Sequence, residues 1–61
     1  MEREGGALLV RADDRPVGLL VPEPFGFTFH AGCLEAWALD RKVFPSVTAA
    51  TREAERLLRR I

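Results

Sequence analysis

The sequence predicts a small α+β domain: an antiparallel sheet of three or four short strands with one C-terminal amphipathic helix packed on one face. Three observations predict it. Val47, Ala50, Ala54, Leu57, Leu58 and Ile61 recur at helical spacing near the C-terminus. Two aliphatic runs, Ala7–Ala12 and Val17–Val21, flank Asp13-Asp14-Arg15-Pro16, which has turn chemistry. Phe25, Phe27 and Phe29 then alternate with Gly26, Thr28 and His30, the period of a half-buried strand.

The helix carries the most consistent local signals. Ser46 precedes the apolar run, where its hydroxyl can accept a hydrogen bond from a first-turn N–H. Pro45 biases Phe44 towards extended backbone. The expected span is Val47–Arg60. Glu55 and Arg59 form a favourable i,i+4 pair, and C-terminal arginines suit the helix dipole. A helix this short needs to dock its apolar face to be stable.

In the hairpin, a four-residue loop over 13–16 pairs Leu9 with Leu20 and Val10 with Leu19. Leu8, Val10, Val17, Leu19 and Val21 then share one face. Leu9, Arg11, Gly18 and Leu20 share the other. Pro22 and Pro24 end the second strand. Residues 31–42 read two ways. As a strand, Glu35–Leu39 leads through Asp40-Arg41-Lys42 into a short Val43-Phe44 strand. As a helix, Cys33, Leu34, Trp37 and Ala38 form a stripe. The strand is the expectation carried forward. The expected core is Leu8, Val10, Leu19, Val21, Phe25, Phe27, Phe29, Trp37, Phe44, Ala50, Ala54, Leu57 and Leu58.

Composition sets the class. The chain has 61 residues, 48% of them hydrophobic, with no net charge. Residues 1–6 read as a short flexible lead-in and 7–61 as one domain. A domain of this size buries only about 60% of its unfolded surface, so association with a partner would help it. The balanced charge departs from a strongly basic nucleic-acid binder. No run of about 18 apolar residues marks a membrane span. Met1–Gly6 is polar, unlike the core of a secretory leader. The single cysteine forms no internal disulfide, which fits a reducing compartment, so the expected location is cytoplasmic.

No motif for catalysis is complete. His30 and Cys33 could serve as base and nucleophile, but no orienting group or oxyanion site accompanies them. His30-Ala31-Gly32-Cys33-Leu34-Glu35-Ala36-Trp37 resembles the middle of a RING finger, in which a His and a Cys three apart ligate zinc. A structural zinc needs four ligands, and this chain supplies one cysteine. Only pooling of two such pairs across a dimer would complete a site. Asp13 and Asp14 suit a turn better than a cation loop. No enzyme activity, metal or cofactor is expected.

Two surfaces are candidates for a partner. Arg52, Arg56 and Arg59, with Arg60 beside them, form a basic stripe, to which Arg41 and Lys42 add charge; phosphate contact is the chemistry such a stripe offers. Leu9 and Leu20 lie on the expected reverse face of the sheet, an apolar pair suited to self-association or a protein partner. Charged residues at both would then release a folded monomer. Leu8–Pro22 also resembles the strand–turn–strand of Phd-type antitoxins, dimeric DNA-binding regulators that neutralise a toxin. That resemblance implies dimerisation and partner binding. The expected function is therefore a small non-catalytic interaction module, plausibly homodimeric, that binds or blocks another macromolecule, as phage or mobile-element accessory proteins do. The alternative is a DNA-binding regulator, antitoxin-like or transcriptional, that uses the arginine stripe.

Overall fold

The computed structural model describes residues 6–59. It is the expected α+β domain: a four-stranded antiparallel sheet in the order β1-β2-β3-β4, with a C-terminal helix. The strands are β1 (Leu8–Ala12), β2 (Arg15–Glu23), β3 (Gly26–Ala31) and β4 (Val43–Phe44). A 3₁₀ helix, Leu34–Leu39, links β3 to β4, and α1 spans Val47–Arg59. The expected residue Arg60 at its end lies outside the described residues, as does most of the 1–6 lead-in.

The β1–β2 register corrects the expected one. Leu8 pairs with Leu20, Leu9 with Leu19 and Val10 with Gly18, after which the ladder slips so that Arg11 faces Pro16. Val17 is the extra residue of a β-bulge. The turn is correspondingly shorter than four residues. Asp13 (φ 52°) and Asp14 (φ 66°) form a two-residue loop with both residues in the left-handed region, the geometry of a type I′ turn. Asp tolerates this conformation because its short polar side chain bonds locally.

A one-residue slip moves a whole strand's side chains to the opposite face. Leu20 is therefore fully buried and Leu19 is 43% exposed, the reverse of the expectation. The bulge also lets Val17 and Leu20, three residues apart, both point inward. In β3, Phe29 is fully buried and Phe27 packs against the core. Phe25 falls in the turn before β3 and is exposed, so the expected row of three phenylalanines is a row of two.

The 31–42 segment corrects the expected strand. Leu34–Leu39 is helical, and the Val43–Phe44 strand that follows is as expected. Residues three apart eclipse in a 3₁₀ helix. Ala36 and Leu39 point into the core; Leu34 and Trp37 share the outer face and are exposed, so Trp37 is not a core residue. Backbone bonds hold the segment to the sheet. The Gly32 N–H donates to the Val17 carbonyl at 2.7 Å, and the Arg41 N–H to the Phe29 carbonyl at 2.7 Å. The Ala31 N–H donates to the Asp40 carboxylate at 2.8 Å, fixing both ends of the excursion.

These elements cover one face of the sheet. The 3₁₀ helix packs on β2 and β3; α1 packs on β1, β4 and the 3₁₀ helix. Ala50 and Ala54, one turn apart, are fully buried and let α1 approach closely, with Leu57 and Leu58 partly buried beside them. The Ser46 hydroxyl accepts the Ala49 N–H at 3.1 Å, the expected cap. The core unites Val10, Ala12, Val17, Leu20, Phe29, Ala36, Leu39, Phe44, Ala50 and Ala54. Among the described residues, no helix is long and apolar enough to cross a membrane.

Candidate interaction surfaces

The face of the sheet away from α1 is assembled by strand pairing. Leu9, Leu19 and His30 stand abreast across β1, β2 and β3. Val21, Thr28 and Val43 form the next row across β2, β3 and β4. Of the apolar members, Leu9 is 53%, Leu19 43% and Val43 46% exposed, and Val21 is half-buried. Directly paired side chains have Cβ atoms about 5 Å apart, so Leu9, Leu19 and Val21 form one apolar strip, with Val43 beyond Thr28. Arg11 follows Leu9 on the same face at the hairpin end. Glu23 closes the other end, where it accepts the Thr28 hydroxyl proton at 3.5 Å. The strip thus carries a cation at one end and a carboxylate at the other.

Of the two leucines expected on this face, Leu9 belongs to it and Leu20 does not. Leu20 lies in the core, because the bulge at Val17 replaces it outward by Leu19. Val43 completes the strip together with Val21, a residue expected in the core that follows Leu19 onto the open face; Leu8, also expected in the core, keeps the core face but is 38% exposed at its edge. The signal that points to this arrangement is Gly18: a glycine inside a strand pattern marks a bulge or a close approach.

A second surface lies between α1 and β4. Arg52 and Arg56, one turn apart and both exposed, form one wall of a groove of about 430 Å³. Lys42 and Phe44 form the other, with Ala49 and Glu53 between. The Lys42 ammonium sits 6.0 Å from the centre of the Phe44 ring, a distance at which cation–π attraction orients it. Glu53 leans towards Arg56 at 3.6 Å. Arg59 is exposed further along α1; Arg60 lies outside the described residues. The arginine stripe is therefore one side of a concavity that β4 completes.

A third cluster surrounds the start of the 3₁₀ helix. Arg15 lies 3.1 Å from the Glu35 carboxylate and 4.0 Å from the Cys33 sulfur. The Glu35 carboxyl is held below the usual glutamate range, first by a hydrogen bond from its own backbone N–H at the helix start, then by Cys33 and the Arg15 charge. A depressed carboxyl contributes stability above its unfolded pKa and loses it as pH falls through the folded value. By NMR titration Glu35 is expected to titrate below an exposed, unpaired glutamate. Arg15→Gln should raise it only part of the way, since the backbone contribution remains. Complete return to the ordinary glutamate range would show that Arg15 alone sets it.

His30 and Cys33 do not form a shared site. His30 stands on the open face beside Leu19, whereas Cys33 packs against the core on the other side. Among the described residues, no group of three or more His, Cys, Asp or Glu is placed to hold a metal ion. Comparison with known protein families, curated proteins and solved structures found no match to this chain.

Proposed function

We propose that the protein is a non-catalytic interaction module that works as a homodimer, with the open sheet face as the contact between copies. The observation that supports it most is the asymmetry of the sheet. One face carries the core beneath α1 and the 3₁₀ helix, with Leu8 38% exposed at its edge, while the other presents Leu9, Leu19, Val21 and Val43 with no element packed over them. In a domain this small, an uncovered apolar strip marks an interaction surface. Its charges favour a second copy as the occupant. A two-fold axis lying between the sheets, perpendicular to the strands, sets Arg11 of one copy against Glu23 of the other, twice. Isologous contacts of this kind close as dimers without further growth. Binding or blocking another macromolecule, in an intracellular setting and in the manner of a phage or mobile-element accessory protein, is the role proposed for the dimer. A DNA-binding regulator acting through Arg52, Arg56, Arg59 and Arg60 is the second reading, supported by the exposed arginines along α1.

A charge swap tests the dimer arrangement. Arg11→Glu places like charges together at both ends and is expected to weaken the dimer about tenfold or more, read by sedimentation equilibrium. Arg11→Glu combined with Glu23→Arg restores the complementary pairs and most of the affinity. A double variant as weak as the single one would show that the two ends do not meet.

A further inference from the structure

We infer that the groove between β4 and α1 is a binding site for the phosphate backbone of single-stranded nucleic acid. Three cations line it from two different elements: Lys42 beside β4, and Arg52 and Arg56 on α1. A flat arginine stripe on a helix is usually a solvated face. Cations on opposite walls of a concavity converge on one ligand, and a ligand between them is partly removed from screening water. Among the described residues the one carboxylate lining the groove, Glu53, is already drawn to Arg56.

The floor decides between classes of anion. Phe44 is 4% exposed, so its ring offers no free face for stacking a base. With Ala49 it supplies the apolar part of the lining. A nucleic acid carries one negative charge on its backbone at every residue and can be gripped without base or side-chain pockets. Cations from two elements around one concavity of about 430 Å³ can flank a single phosphate backbone, the arrangement of a strand-tracking groove. Arg59, exposed one turn beyond Arg56, extends the track along α1. The site lies on the covered side of the sheet, so dimerisation through the open face leaves it accessible, and the two inferences stand or fall separately.

The test is fluorescence anisotropy of the full chain with a labelled oligothymidylate of about ten nucleotides, a length within the usual single-strand site size. With three phosphates neutralised, affinity is expected to fall about 20-fold between about 50 and about 200 mM salt. Arg52→Gln should weaken binding several-fold and reduce the salt slope from about −2 to about −1.4. Arg15→Gln, which removes the same charge on the hairpin, should leave binding within about twofold, a surface charge of little local consequence. Circular dichroism confirms that both variants fold. Absence of binding at low salt, equal losses for Arg15→Gln and Arg52→Gln, equal competition by an oligoglutamate peptide, or tighter binding of duplex than of single strand would each overturn the inference.

Discussion

Leu20→Asp is expected to unfold the domain at room temperature, while Leu19→Asp, one position earlier on the same strand, leaves it folded. Leu20 is fully buried among Phe29 and the helix-facing core, whereas Leu19 is 43% exposed on the opposite face. Truncating a buried leucine costs about 2–5 kcal/mol, and an unpaired buried charge adds several more. A core of this size rarely supplies more than about 3–5 kcal/mol, so Leu20→Asp exceeds it. At Leu19 the cost to the monomer is about 1 kcal/mol, the strand preference lost by placing Asp there. Circular dichroism of the two variants checks the result. An unfolded Leu19→Asp beside a folded Leu20→Asp would show that the bulge at Val17 is absent and the ladder runs in the other register.

Gly18→Ala is expected to lower the melting temperature by about 10–20 °C, equivalent to about 2–3 kcal/mol in a domain of this length. A Cβ at position 18 would stand 2.5 Å from the His30 carbonyl oxygen and overlap the edge of the Phe29 ring. Phe29 is itself fully buried, so the ring has little room to retreat. Phe29→Leu removes the ring edge but not the carbonyl. The double variant should therefore be less destabilised than the sum of the singles by at least about 0.5 kcal/mol. A Gly18→Ala melting curve within about 2 °C of wild type would show that the ring does not rest on the glycine.

The parts of the fold legible in the sequence are those whose signals are local. The Ser46 cap and the spacing of Val47, Ala50, Ala54, Leu57 and Leu58 define α1 within the chain's last third. The alternation from Gly26 to His30 defines β3. What the sequence conceals is set by pairing between distant residues. The Asp13-Asp14 turn lacks the Gly or Asn that usually announces two left-handed residues. A loop drawn from Asp13 to Pro16 accounts for the same residues as a shorter loop plus a bulge. The two differ by one step of register, and that step decides whether Leu19 or Leu20 meets a partner. Residues 31–42 are hidden for another reason. A period of three over six residues places Leu34 and Trp37 outward, and hydrophobicity alone assigns both inward. The candidate surfaces follow the same division. Arg52, Arg56 and Arg59 are visible as a helical stripe, but the groove needs Lys42 and Phe44 from an edge strand whose position only the folded sheet reveals.

The open sheet face as a self-association surface is the claim on which the functional reading rests. Sedimentation equilibrium of the wild-type chain across a wide range of concentrations tests it most directly. The expected result is a mass rising with concentration from that of the 6.8 kDa chain to a plateau at twice that value, with Leu19→Asp held at the lower mass while remaining folded. A wild-type mass fixed at that of a single chain at every concentration, or a Leu19→Asp variant that dimerises as well as wild type, would contradict it.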